Sequence, residues 1–179
     1  MCRMLLAVML AGALTAGASG STVQFAVGGV PVGAGEVIEV EPSDDLLVGI
    51  YVTPDEPIEN MWVDFLATGP WPGPPVWPED IVLLPPWEGC WPTYDPDLGV
   101  YSIGGLASEL WAGPGAVAEF LVHIPDVPVS TTLNLEYDYA EVGAGGVDML
   151  PLVLHVTPEP VSLGLLALGG LVALRRRLT

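Results

Sequence analysis

Short apolar runs separated by turn-forming residues fill the chain from Ser21 to Val156. In Leu133–Tyr139 apolar and polar residues alternate strictly, as a strand with one buried face requires. Met61–Ala67 alternates in the same way, with Asp64 on the opposite face. The pattern predicts nine strands, at Thr22–Val27, Glu36–Val40, Leu46–Thr53, Glu59–Ala67, Ile81–Leu84, Leu98–Ile103, Ala116–Ile124, Thr131–Tyr139 and Leu150–Val156.

Nine short strands with turns between them favour an all-β fold, an antiparallel β-sandwich of the jelly-roll type, with a closed barrel as the alternative. The order of the strands is similar to that of cohesin-like and carbohydrate-binding-module-like sandwiches. The similarity lies in Val32–Val40, in Leu46–Ala67, and in Ala116–Ile124 followed by Thr131–Tyr139. It is a similarity of pattern without a diagnostic motif, so the docking function of cohesins does not follow from it.

The N-terminal segment has the composition of a secretory signal. Arg3 precedes an apolar stretch, Met4–Leu14, that is too short to span a bilayer, and small residues follow it. Ala16 and Ala18 form an A-x-A-like cleavage site. We therefore expect a signal peptide over residues 1–18, export through the Sec translocon and an extracytoplasmic domain over residues 19–156. Cleavage after Gly20 and a retained membrane anchor are the alternatives.

The C-terminal segment has three parts, which are Thr157–Pro160, the largely apolar Val161–Leu174 and Arg175–Arg177. The prolines keep the backbone before the apolar part extended. As a helix the apolar part would span about 21 Å at 1.5 Å per residue, less than a bilayer core of about 30 Å. The basic residues Arg175, Arg176 and Arg177 should remain cytoplasmic.

This tail resembles the PEP-CTERM sorting signal, in which Pro-Glu-Pro precedes a short transmembrane helix and a basic terminus. The matching motif is Pro158, Glu159 and Pro160. The resemblance implies that the chain is an exosortase substrate, held in the inner membrane by its tail and then sorted to the cell surface or to an extracellular polysaccharide matrix. A simple tail anchor is the alternative.

The charge distribution restricts the partners. The chain has 22 carboxylates, no Lys and only four Arg, at Arg3 and Arg175–Arg177, so the domain between them carries no permanent cation. Such a domain repels phosphates and anionic lipid, which excludes nucleic acid and anionic membrane surfaces as partners. The acidity suits a saline habitat, a matrix rich in divalent cations, a basic partner, or solubility alone.

The segment Gly69–Pro92 is rich in proline and contains four tryptophans, Trp71, Trp77, Trp87 and Trp91. Exposed indoles on a rigid loop could stack on sugar rings or anchor a protein contact. Alternatively, the Trp and Pro rings pack on each other and close one end of the sandwich.

Candidate catalytic chemistry is sparse. His123 and His155 both fall opposite the apolar positions of their strands, which predicts solvated side chains. The sequence has no H-x-x-x-H pair, no Gly-x-Ser-x-Gly elbow and no phosphate-binding glycine loop. Cys2 lies in the signal peptide, so Cys90 is the single thiol of the domain, either unused or linked to a second chain.

Turn carboxylates offer weak metal candidates. Asp44 with Asp45, and Asp95 with Asp97, could gather a Ca²⁺ ion, although neither pair has the spacing of a calcium loop. We therefore predict no cofactor and a protein that is not an enzyme. The sequence favours an exported surface or matrix protein, with a carbohydrate-binding module, a cohesin-like docking domain and a small hydrolase as the rival interpretations.

Overall fold

The computed structural model describes residues 20–76, 80–88, 92–127, 129–144 and 146–157. The strands in these ranges are β1 Ser21–Val27, β2 Val30–Pro31, β3 Val37–Val40, β4 Asp45–Thr53, β5 Ile58–Thr68, β6 Val82–Leu83, β7 Trp87–Glu88, β8 Thr93–Asp95, β9 Val100–Trp111, β10 Gly115–His123, β11 Thr131–Val142, β12 Val147–Leu150 and β13 Leu152–Val156.

The strands form two sheets. One sheet has six strands in the order β12-β1-β4-β10-β6, with β2 also paired to β1. The other sheet has seven strands in the order β3-β13-β11-β5-β9-β7, with β8 also paired to β9. Their apolar faces pack together, which confirms the predicted all-β sandwich.

The core forms because alternate residues of each strand point between the sheets. Phe65 of β5 lies at its centre, where it stacks on Tyr101 of β9 and on Phe120 of β10, with ring centroids 4.9 and 5.3 Å apart. Phe25 of β1 meets Phe65 edge-on at 5.8 Å. Because Phe25 and Phe120 belong to the six-stranded sheet and the other two rings to the seven-stranded sheet, this cluster joins the two layers.

One predicted strand is wrong in its extent. The run Leu150–Val156 is broken at Pro151, which has no N–H to donate to a ladder. β12, before the break, pairs in parallel with β1 of the six-stranded sheet, whereas β13, after it, lies between β11 and β3 of the other sheet. The β13–β3 pairing is also parallel, so the sandwich is antiparallel except at these two pairs.

Other differences are additions. β9 continues eight residues beyond Ile103, to Trp111, and β11 continues to Val142. The short strands β2, β7 and β8 were not predicted, and β12 was predicted only at Leu150.

The predicted signal peptide with Ala16 and Ala18, the sorting motif 158–160 and the tail after it lie outside the described residues, as does Cys90. Within the described ranges there is no helix long and apolar enough to cross a membrane.

Candidate functional site

The outer face of the seven-stranded sheet presents aromatic rings beside carboxylates. β5 lies between β9 and β11, and its outward residue Trp62 is level with Gly104 of β9 and Glu141 of β11. Its next outward residue, Asp64, is level with Tyr139 of β11. We use the term Trp62 face for the outward side chains of this region, which are Trp62, Asp64, Leu106, Glu136, Tyr139 and Glu141.

The Trp62 indole is held flat on the sheet. A β-carbon on Gly104 would lie only 2.5 Å from Cε3 of the indole and 2.6 Å from Cζ3, so the ring occupies space that any other residue at position 104 would fill. The indole Nε1–H donates a hydrogen bond of 2.8 Å to Oδ1 of Asp64. Trp62 nevertheless remains 45% exposed. A large aromatic surface is thus fixed in one orientation before anything binds.

A β-bulge in β11 brings Tyr139 to the same face. The register between β11 and β5 shifts between Tyr137 and Tyr139, so Tyr137 points into the core and Tyr139 points outward. The Tyr139 hydroxyl donates to Oε2 of Glu141 at 2.9 Å. This hydrogen bond and the negative charge of Glu141 raise the pKa of Tyr139 above its usual value.

The Trp62 face is negatively charged. Glu136 lies on the same face, where its Oε1 accepts a 2.7 Å hydrogen bond from the Thr68 hydroxyl. The described ranges contain no Lys or Arg, because the four Arg of the chain are at Arg3 and Arg175–Arg177. Neither Asp64 nor Glu141 therefore has a permanent cation beside it within the part of the chain that the structure describes.

The outer face of the six-stranded sheet differs in character. It exposes the aliphatic side chains Leu47, Leu121 and Val82. At its margin His123 is paired through Nδ1 with Oδ1 of Asp45 at 2.8 Å, and both side chains are exposed. His155 lies on the other sheet, in β13 opposite Glu39 of β3. His155 is also level with Thr132 of β11.

The described parts of the tryptophan-rich segment supply β6 and β7, which are edge strands of the two sheets. Trp87 is only 3% exposed and meets Trp111 edge-on with centroids 5.4 Å apart, so its ring has no face free for a sugar. The half-buried Trp71 donates its indole N–H to the Thr68 carbonyl at 3.1 Å. These contacts favour the packing interpretation for both residues, whereas Trp77 and Trp91 lie outside the described residues.

The two pairs of candidate calcium ligands are already engaged in hydrogen bonds within the protein. Oδ1 of Asp95 accepts hydrogen bonds from the backbone amides of Asp97 and Leu98, at 2.9 and 3.2 Å. Asp45 is paired with His123, and the backbone carbonyl of its neighbour Asp44 accepts from the Ile124 amide at 2.8 Å. Among the described residues no group of three His, Cys, Asp or Glu side chains is arranged to hold a metal ion.

The outward position of Trp62 is visible in the sequence pattern, although Trp62 is not among the candidate residues predicted above. Met61, Val63 and Phe65 face the core, so the same alternation that sets Asp64 outside also sets Trp62 outside. Strand alternation places Tyr139 on the buried face together with Leu135. The bulge between Tyr137 and Tyr139 shifts the register, so that Tyr139 points outward instead.

Comparisons with solved structures identify the fold. The seventh type I cohesin of ScaB from Pseudobacteroides cellulosolvens is similar over 78% of this chain and 93% of its own, with 11% sequence identity and a TM-score of 0.52. A non-cellulosomal cohesin from Archaeoglobus fulgidus is similar over 76% and 91%, with 10% identity and a TM-score of 0.53. The cohesin–dockerin complex Coh-OlpC-Doc435 of Clostridium thermocellum is similar over 83% of this chain and 100% of its own, with 9% identity and a TM-score of 0.53.

The sandwich therefore has the cohesin fold, as the order of the strands suggested. At these identities the similarity is one of fold alone. No protein-family model matches the sequence. No curated protein matches it either.

Proposed function

We propose that the domain is a non-enzymatic protein-docking module that binds a protein partner through the Trp62 face. The observation that carries this proposal is the half-exposed Trp62 indole, which is fixed by Gly104 beneath it and by its hydrogen bond to Asp64. Binding energy at protein interfaces concentrates in a few aromatic and Arg residues near the centre of the contact. A ring that is already immobilised loses little conformational freedom on binding.

The surroundings of Trp62 suit such a contact. Leu106 is 61% exposed and Tyr139 is 47% exposed, so two further large side chains are available on the same face. The paired strands β11, β5 and β9 form a continuous support for these side chains. One structure with the same fold, from Clostridium thermocellum, is a complex of a cohesin with a dockerin, which supports a docking role in general and names no partner for this chain.

We further propose that the module works outside the cytoplasm after sorting by an exosortase. The support is the sequence pattern Pro158-Glu159-Pro160 followed by Val161–Leu174 and Arg175–Arg177. In this proposal the signal over residues 1–18 directs export, and the tail holds an inner-membrane intermediate before transfer to the surface or to an exopolysaccharide matrix.

A carbohydrate-binding module is the second candidate, now centred on Trp62 and no longer on the Trp-rich segment. The flat indole next to the carboxylate of Asp64 is an arrangement on which a sugar ring could stack while its hydroxyls donate to the carboxylate. Soluble oligosaccharides that change the Trp62 signal would favour this candidate.

Photo-crosslinking in the native host tests the docking proposal. Benzoylphenylalanine is placed at Leu106 on the Trp62 face, or at Leu121 on the other sheet as the matched exposed control. We expect one crosslinked protein from position 106 and none from position 121. The purified partner should then bind the protein directly, and Trp62→Ala should weaken the affinity at least about tenfold, as truncation of a central aromatic anchor does.

Three results would overturn the docking proposal. They are equal crosslinking from both positions, an affinity unaffected by Trp62→Ala, and a partner that proves to be a second copy of the chain. Leu121→Ala serves as the control in the affinity measurement, because this side chain is similarly exposed but lies on the opposite sheet.

A further inference from the structure

We propose that the partner docks a basic segment on the Trp62 face, with an Arg guanidinium stacked on the Trp62 indole and paired with the carboxylates of Asp64 and Glu141. This inference rests on the proposed docking function and names the chemistry of the partner. It follows from the desolvation of the Asp64 and Glu141 carboxylates that docking on this face would cause.

The two carboxylates lie directly beside the ring. Glu141 is level with Trp62 on the neighbouring strand, and Asp64 is the next outward residue along β5. Each is oriented by an aromatic donor, Asp64 by the indole N–H at 2.8 Å and Glu141 by the Tyr139 hydroxyl at 2.9 Å. The positions of the negative charges are therefore set before a partner arrives.

A partner that covers Trp62 also removes water from these carboxylates. Desolvating an ionised carboxylate is costly unless a cation or strong hydrogen-bond donors replace the water. The described part of this chain has no Lys or Arg to supply that cation. The compensating charge must therefore come from the partner, whereas a neutral apolar partner would leave two charges buried without compensation.

Arg fits the geometry better than Lys. Its planar guanidinium can lie parallel to the exposed indole and still present N–H groups at its edge to two carboxylates. The ammonium group of Lys is a compact point charge that cannot stack in this way. A sugar ring could also stack on Trp62 and donate hydroxyl hydrogen bonds to the carboxylates, but it would bring no positive charge to offset those of Asp64 and Glu141.

Fluorine NMR on the full chain tests this inference directly. The protein is labelled with 5-fluorotryptophan and purified in nonionic detergent micelles, and Trp62→Phe assigns the Trp62 signal among the six indoles. The probes are capped peptides of sequence Gly-Arg-Gly-Arg-Gly, Gly-Lys-Gly-Lys-Gly and Gly-Glu-Gly-Glu-Gly, together with cellohexaose. We expect a saturable shift of the Trp62 resonance with the Arg peptide, a weaker effect with the Lys peptide and none with the other two probes.

Paired charge variants separate this site from the general acidity of the protein. Asp64→Asn with Glu141→Gln should weaken binding of the Arg peptide about tenfold, the effect of losing two charge-assisted contacts. Asp45→Asn with Glu119→Gln removes the same charge from the opposite sheet and should change the affinity by less than about twofold, since distant exposed charges are screened.

The remaining outcomes are also decisive. Equal weakening by the two double variants would reduce the effect to net charge and overturn the proposal, and a Trp62 shift with cellohexaose alone would show a sugar platform. If a partner crosslinks at Leu106 while the Arg peptide leaves the Trp62 resonance unaffected, the docking function is retained and the proposal of a basic segment is rejected. If no partner crosslinks at Leu106, the docking function itself fails.

Discussion

The ring of Tyr137 in β11 stacks on the ring of Phe25 in β1, with centroids 4.4 Å apart and planes inclined by 12°. The contact joins the two sheets, but it leaves the buried Tyr137 hydroxyl with no hydrogen-bond partner among the described residues. A buried polar group without a partner costs roughly 1–3 kcal/mol. The pKa of Tyr137 is raised well above its usual value because burial penalises the phenolate.

Tyr137→Phe should therefore stabilise the protein. The substitution keeps the stacked ring and removes only the unpartnered hydroxyl, so we expect the free energy of unfolding to rise by about 1 kcal/mol. Urea unfolding at neutral pH followed by circular dichroism measures the change. Tyr139→Phe is the control, because its hydroxyl is exposed and bonded to Glu141. A loss of stability in Tyr137→Phe would mean that an unseen partner, such as a buried water molecule, satisfies the hydroxyl.

The protein should lose stability in alkali. In the unfolded chain tyrosines titrate near pH 10, whereas in the folded protein burial raises the pKa of Tyr101 to about 12 and holds the pKa of Tyr137 well above its usual value. Between these values the folded state holds more protons than the unfolded state, so the free energy of unfolding falls as the pH rises. Urea midpoints measured from neutral pH to about pH 12 should decrease, and they should decrease less steeply in Tyr137→Phe. Urea midpoints that are constant over this range would contradict the raised pKa values of Tyr101 and Tyr137.

Gly104→Ala should disturb the Trp62 indole and leave the sheet in place. The new methyl group would lie 2.5 Å from Cε3 of Trp62, so the ring must move and its hydrogen bond to Asp64 is lost. We expect the fluorine resonance of Trp62 to shift and partner affinity to fall about tenfold, while the far-UV circular dichroism remains that of a β-protein. Gly113→Ala is the control, since a β-carbon there has no atom within 4 Å. An unchanged Trp62 resonance in Gly104→Ala would contradict the flat placement of the ring.

Phe65→Ala should be among the most damaging single substitutions in the core. Phe65 contacts rings from both sheets, so its removal opens a cavity that neither layer can close alone. Such truncations cost about 3–5 kcal/mol in the free energy of unfolding. Leu121→Ala, on the exposed outer face of the six-stranded sheet, should change it by less than about 0.5 kcal/mol. Similar urea midpoints for the two variants would show that the aromatic cluster is not the centre of the core.

Replacing Pro158, Glu159 and Pro160 by alanine tests the sorting proposal. We expect an unprocessed form in the inner-membrane fraction of the native host, whereas the wild-type protein should be found outside that membrane. Intact mass and cell fractionation measure both properties. Pro96→Ala with Asp97→Ala, in the exposed turn between β8 and β9, is the control and should be sorted normally. Normal processing of the triple variant would refute exosortase recognition of this motif.

Strand alternation predicted the centre of the fold well, because strands with one buried face have a period of two. β5 and β11 were found for this reason, within the limits set by the bulge near Tyr139. The change of sheet at Pro151 was missed, because the pattern predicts one strand from Leu150 to Val156 and none at Val147–Met149. The short β7 and β8 were missed because proline and turn residues surround their inward rings, Trp87 and Tyr94.

The candidate surface was harder to predict than the fold. An outward tryptophan is visible in the sequence, but the fixed orientation of its indole depends on Gly104. This glycine is 42 positions away along the chain and lies beside Trp62 only through strand pairing. The same holds for Glu141, which the register of β11 brings level with Trp62. The Trp-rich segment is prominent in composition, but Trp87 is buried and the indole of Trp71 donates to a backbone carbonyl, so packing accounts for both.

The place of β13 within its sheet has a mechanical consequence. This strand is paired at five positions with β11 and at four with β3, and the chain leaves it at Thr157. A pull on the chain beyond Thr157 would act along the strand, so both ladders would be sheared and their hydrogen bonds would have to break nearly together. The Trp62 face belongs to the same sheet, and part of it lies on β11, which pairs directly with β13. Tension between a docked partner and a tethered C-terminal segment would thus pass through a single sheet without having to separate the two layers.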